Sequence, residues 1–94
     1  MTIVNNNSSL GQCSSLAHLA YDETSGKPHE LYRFTAIDFA QIARDMGCVG
    51  IRVKKADQIS DALQSALSSD EPTVIDVATD PRSAAPAPWH PQTR

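Results

Sequence analysis

Residues 49–77, VGIRVKKADQISDALQSALSSDEPTVIDV, carry two hydrophobic periods in succession. Val49, Ile51 and Val53 alternate, as residues on one face of a strand do. Ile59, Ala62, Leu63, Ala66 and Leu67 recur at the spacing of a single helix face. Asp57 reads as a first-turn acid, and Ser68-Ser69-Asp70 ends the helix. Thr73-Val74-Ile75-Asp76-Val77 returns to a β-branched run of strand length. A strand, a helix and a strand joined by short connections form a βαβ unit, so the two strands are expected to be parallel.

Upstream, Phe39, Ile42, Ala43 and Met46 lie at i, i+3, i+4 and i+7 and predict another helix. Thr35 or Ala36 precedes it, Asp38 falls in its first turn, and Gly47 closes it as a C′ residue. Residues 29–34 are ambiguous, with Leu31, Tyr32 and Phe34 expected to dip into the core. Residues 22–28 combine polar side chains with Gly and Pro and read as a loop. Leu10 to Leu19 is loosely amphipathic, with Leu16, Leu19 and Ala20 on the apolar side and Ser8 or Ser9 as its cap. Residues 2–5 are a strand that empties into Asn5-Asn6-Asn7-Ser8-Ser9-Leu10-Gly11. Ligand sites in open α/β sheets lie beyond the carboxyl ends of strands, which makes this loop the candidate site. The same run also reads as a polar turn capping a helix.

Beyond Asp80 the chain turns to Pro81, Pro86, Pro88 and Pro91 among alanines and polar residues, and an extended tail is expected. Trp89 there is either an exposed aromatic or an anchor for the tail. The expected architecture is therefore α/β: a partial three-layer α/β/α unit over residues 1–80, with a Pro-rich tail over 81–94. Its three strands should be mostly parallel and flanked by helices. So small a sheet predicts marginal stability and self-association.

A net charge of −3 over 94 residues, with Lys54-Lys55 as a mere pair, argues against nucleic acid as a partner. No apolar run approaches the roughly 20 residues that span a bilayer, so a membrane is not expected either. The start of the chain lacks the basic-then-apolar pattern of a signal peptide, which leaves a cytoplasmic location as the expectation. Cys13 and Cys48 fit no CxxC pattern, and Cys48 reads as a small buried hydrophobe. Cys13 with His18 has no matched second pair of metal ligands.

Together these segments resemble a family. Asn6-Asn7-Ser8-Ser9-Leu10-Gly11 after a β-branched strand looks like the second half of the thiamine diphosphate motif. In that motif a distant Gly-Asp-Gly precedes a strand ending in Asn-Asn. Asp38-Phe39, Gly47-Cys48-Val49-Gly50-Ile51-Arg52-Val53, and Pro72-Thr73-Val74-Ile75-Asp76-Val77 with Asp80-Pro81 follow in matching order. The arrangement is similar to the C-terminal, diphosphate-binding domain of acetolactate synthase-like and pyruvate oxidase-like enzymes, from about Ile3 to Asp80. The resemblance implies thiamine diphosphate and Mg²⁺ as cofactors and decarboxylation or carboligation of 2-oxo acids as the chemistry. It implies Asn7, through its amide oxygen, and Ser9, through its carbonyl, as metal ligands. Asn6, Ser8, Leu10 and Gly11 would lie on the cofactor side, with Asn6 tying down the loop or contacting the diphosphate. Were Asn5-Asn6 the motif pair, the ligands would instead be Asn6 and the Ser8 carbonyl.

The family's Gly-Asp-Gly aspartate is not among the residues before Asn5. Glu23, Glu30 and Glu71 match no catalytic glutamate, and no catalytic residue is expected. The expectation is a truncated or split piece of such an enzyme, inactive alone. It would be completed by a chain supplying the missing half-domain or by a full-length homologue. The alternative is a non-catalytic α/β interaction module that docks through the free edge of its first strand.

Overall fold

The computed structural model describes residues 1–21 and 27–83. The expectations for Trp89, for most of the Pro-rich tail and for most of the 22–28 loop lie outside these residues. Three strands form one sheet: β1 (Thr2–Asn6), β2 (Val49–Val53) and β3 (Thr73–Ala78). Their order is β1-β3-β2, and both pairings are parallel. Asn6 lies opposite Ala78 and Val53 opposite Val77, so all three strands deliver their carboxyl ends to one side of the sheet.

The helices are α1 (Ser14–Ala20), α2 (Phe39–Asp45) and α3 (Ile59–Ser68). Short 3-10 turns at Gly11–Cys13, Pro28–Leu31 and Ala56–Gln58 lead into or between them. Alternation along β2 and β3 divides the sheet into two unlike faces. Val53 and Ile75 form the buried core with Ala62 and Ala66 of α3, and Ile51, Leu63 and Val77 pack against them. The opposite face carries Gly50, Arg52 and Asp76 and receives α2. This is the expected partial three-layer α/β unit.

Gly50 sets how closely α2 can approach. A Cβ there would lie 1.9 Å from the Ala40 carbonyl oxygen, inside any allowed contact. Ala40 is itself fully buried. Gly47 serves differently: its φ of +84° ends α2 in the left-handed region as the expected C′ residue.

Several local expectations are corrected. Asp38, expected inside the first turn, is instead the N-cap of α2, its carboxylate accepting from Gln41 N–H at 2.9 Å. A carboxylate at that position both fills an orphan donor and meets the positive end of the helix dipole. The acid in the first turn of α3 is Asp61, while Asp57 falls in the preceding 3-10 turn. The Leu10–Leu19 helix is shorter than expected, and neither serine caps it. Its buried residue is Ala17, whereas Leu16 and Leu19 are exposed. Tyr32 enters the interior, but Leu31 and Phe34 remain largely exposed. Cys48 is half-buried and Cys13 exposed, and both are free thiols.

Gly50→Ala is expected to destabilise the chain more than Gly47→Ala. The first forces backbone apart, at about 1–3 kcal/mol or more. The second adds a left-handed alanine in open space, at about 1 kcal/mol. Urea denaturation of the two variants checks the order.

Candidate functional site at the end of the first strand

β1 ends in consecutive asparagines whose side chains point to opposite sides. Asn6 turns inward and is 6% exposed. Its amide donates to Asp76 Oδ1 at 2.9 Å and to the Ile37 carbonyl at 2.8 Å. Its oxygen accepts from Ser8 N–H at 3.2 Å. Both polar atoms of this buried side chain therefore have partners within the protein, and it ties down the loop.

Asn7 faces the other way and is only half-buried. Its oxygen accepts from Ser9 N–H at 3.0 Å, an Asx turn that retains acceptor capacity on that oxygen. Asn5 Oδ1, next to the same cleft, accepts from the Thr79 hydroxyl at 2.6 Å. Between Asn7 and Ser9 the chain passes through Ser8 at φ +53°, the only non-glycine residue with positive φ among those described. This kink reverses the chain so that Ser9 bridges antiparallel to Arg33. Phe34 N–H donates to the Ser8 carbonyl at 3.0 Å, and Leu10 N–H to the Tyr32 carbonyl at 2.8 Å. The Ser9 carbonyl has no backbone donor among the described residues.

A cleft of about 260 Å³ opens here, lined by Asn5, Asn7, Ser9, Leu10, Gly11, Gln12 and Cys13. A Cβ on Gly11 would come within 3.1 Å of Asn7 Nδ2, so a glycine at this position leaves the amide its room. Ser9 Oγ is buried without a hydrogen-bond partner. The larger hollow, about 730 Å³, runs along β2 and α3 past Lys55, Asp57 and Asp61 and includes none of these loop residues.

The cleft thus offers neutral oxygen donors and no carboxylate. Hard, neutral oxygens suit Mg²⁺, which takes about six oxygen ligands. Asn7 and Ser9 fit one side of such an ion, and its remaining ligands and its charge balance must come from elsewhere. Among the described residues, no group of three or more His, Cys, Asp or Glu side chains is placed to hold a metal. The sequence-predicted residues Asn7, Ser9, Leu10 and Gly11 all line the cleft, while Asn6 anchors it from behind.

Sequence reasoning missed the network behind the loop. Asp76 is completely buried in the central strand and ion-paired with Arg52 of β2. Its Oδ2 also accepts from Phe39 N–H at 2.8 Å. The available signal was a lone aspartate inside the apolar run Val74–Val77, since a charge in a central strand must find partners. Further on, Asp80 lies beyond β3, where the hydrogen bond from Arg82 holds its carboxyl below the usual carboxylate range.

The family model described as "Thiamine pyrophosphate enzyme, C-terminal TPP binding domain" matches residues 1–77. This chain belongs to that family. A putative thiamine pyrophosphate-containing protein, YdaP, from Bacillus subtilis (strain 168) is 32% identical over 76 residues, covering 80% of this chain and 12% of that protein. An acetolactate synthase from the same organism is 36% identical over 47 residues, 50% of this chain and 8% of the relative. A probable acetolactate synthase large subunit from Methanococcus aeolicus is 39% identical over 49 residues, 52% of this chain and 8% of that subunit. The chain therefore spans about a tenth of the length of these relatives. No solved structure matches it. No helix among the described residues is long and apolar enough to cross a membrane.

Asn6→Ala is expected to cost about 1–3 kcal/mol, because it strands the partners of a buried amide. Asn7→Ala, half-buried and with a single internal bond, is expected to cost less than about 1 kcal/mol. Equilibrium unfolding of the two variants checks the difference.

Proposed function

We propose that this chain supplies the amide side of a magnesium–thiamine diphosphate site in a 2-oxo acid decarboxylating or carboligating enzyme. Asn7 Oδ1 and the Ser9 carbonyl would ligate the metal. Ser8, Leu10 and Gly11 would border the diphosphate, and Asn6 would hold the loop. When bound, the cofactor supplies the carbanion chemistry; the protein's part is to bind and orient it. The single observation that carries this reading is the contrast within the loop. The Asn6 amide and the Ser8 carbonyl are taken by protein partners, whereas Asn7 and Ser9 line the cleft. That contrast favours Asn6-Asn7 over Asn5-Asn6 as the motif pair. Pyruvate oxidase-like chemistry and a cytoplasmic setting belong to the same proposal.

Two neutral donors give a divalent ion little electrostatic hold, so the chain alone is proposed to be incompetent. Calorimetric titration of the full chain with Mg²⁺ and thiamine diphosphate is expected to give no binding heat. Adding a polypeptide that carries a Gly-Asp-Gly segment and its strand should produce binding, which Asn7→Ala then weakens about tenfold or more. Micromolar binding by the chain alone would refute incompetence. Absence of binding in the mixture would refute the site.

The outer edge of β1 is where such a strand would pair, since among the described residues β1 is bonded on one side only, to β3. The second reading, a non-catalytic module docking on a homologue or another partner, rests on the same free edge. The exposed Leu10, Leu16, Leu19 and Met46 favour self-association in either case. Sedimentation velocity at two concentrations is expected to show it, and a strictly monomeric profile would count against it.

A further inference from the structure

We infer that Asp76 is the positioning residue of the asparagine loop, acting on the cleft through Asn6 without touching a ligand itself. The inference rests on the reading of Asn7 and Ser9 as the cofactor-side donors. Its basis is the distribution of donors around one carboxylate. Oδ1 accepts the Asn6 amide, while Oδ2 accepts both Phe39 N–H and the Arg52 guanidinium. The Ile37 carbonyl closes the network by accepting from both Asn6 and Arg52. Four segments meet at this point: the end of β1, the entry to α2, and the middles of β2 and β3.

The geometry leads from Asp76 to Ser8 of the loop in two hydrogen bonds. Asp76 and Ile37 fix both amide hydrogens of Asn6, and Asn6 Oδ1 then holds Ser8 N–H. Ser8 is the residue with positive φ, so that bond supports the kink that brings Asn7 and Ser9 to one cleft. An ordinary packing role for Asp76 would need only the Arg52 pair. The Asn6 bond is additional and points toward the loop.

An isosteric change separates the two roles. In Asp76→Asn the side chain has one acceptor oxygen and one amino group, yet both of its ends face donors. The oxygen is expected to stay with Phe39 N–H and the Arg52 cation, which turns the new amino group against the Asn6 amide. The Asn6 amide then keeps the Ile37 carbonyl but loses its second acceptor, while the shape of the core is kept.

The test is nuclear magnetic resonance of the full chain, with side-chain and backbone amide exchange measured without any cofactor. In the unmodified chain the Asn6 side-chain amide is expected to exchange about tenfold or more slowly than that of Asn7, as befits two buried hydrogen bonds. In Asp76→Asn the Asn6 hydrogen that faced Asp76 should lose that protection about tenfold, while the one on the Ile37 carbonyl loses less, with shifted Ser8, Ser9 and Leu10 amides. Val53, Ala62 and Ala66 should keep theirs. Equal exchange of Asn6 and Asn7 in the unmodified chain would overturn the inference even if the variant failed to fold. So would a folded Asp76→Asn with unchanged Asn6 and loop signals. Mg²⁺ and thiamine diphosphate are then added together with the Gly-Asp-Gly polypeptide. If Asn7 and Ser9 do not respond, the cofactor reading fails, a result distinct from the exchange outcome.

Discussion

A carboxylate buried without water costs several kcal/mol, and the sheet of this protein is arranged to recover that cost around Asp76. Three donors converge on it, one of them a guanidinium, and each comes from a different segment of the chain. Removing one partner from such a group is far more damaging than the net worth of the pair, because the remaining charge stays in the interior. The network therefore restricts where β1, β2 and the start of α2 can sit relative to β3. The apolar core alone, four buried residues on the α3 face, would constrain them much less.

The small residues on the α2 face serve the same end. Without a Cβ at Gly50, the backbone of Ala40 lies directly against β2. That proximity brings the first turn of α2 to the sheet, within reach of Asp76, and Phe39 N–H finds its acceptor there instead of in a side-chain cap. Asp38 then caps another open donor of the same turn, Gln41 N–H. Close packing and polar satisfaction are thus one geometric solution. The apolar α3 face and the polar α2 face divide the labour between burial and placement.

The strongly periodic part of this fold was legible in the sequence. The alternation of Val49, Ile51 and Val53 and the helical spacing of Ile59 to Leu67 identified the elements, although within the helix only Ala62 and Ala66 are buried and Leu67 is exposed. The stretch from Leu10 to Phe34 was less legible because most of its large apolar residues are not core residues. Leu16, Leu19 and Leu31 are exposed, so their spacing carried no information about a packed face. Helix starts were less legible than helix interiors: Asp38, expected in the first turn of α2, is its N-cap. The cleft residues from Asn7 to Gly11 were legible as a polar strand end. Their support was not, because Asn6, Ile37, Phe39, Arg52 and Asp76 are distant in sequence and converge only through parallel pairing.

The run of three asparagines shows how strand parity distributes roles that composition leaves equivalent. Successive side chains of a strand point to opposite faces, so only every second asparagine can reach Asp76. Pairing of β1 with β3 places Val4 opposite Asp76 and Asn6 opposite Ala78. Asn6 and Asp76 thus share a face two residues apart along the strands, close enough for a diagonal contact. A slip of β1 by one residue would bring Asn5 or Asn7 to that face instead and turn Asn6 outward. The buried acid accordingly selects the register of β1. The loop that follows inherits the choice, with one amide spent on the interior and its neighbour directed into the cleft.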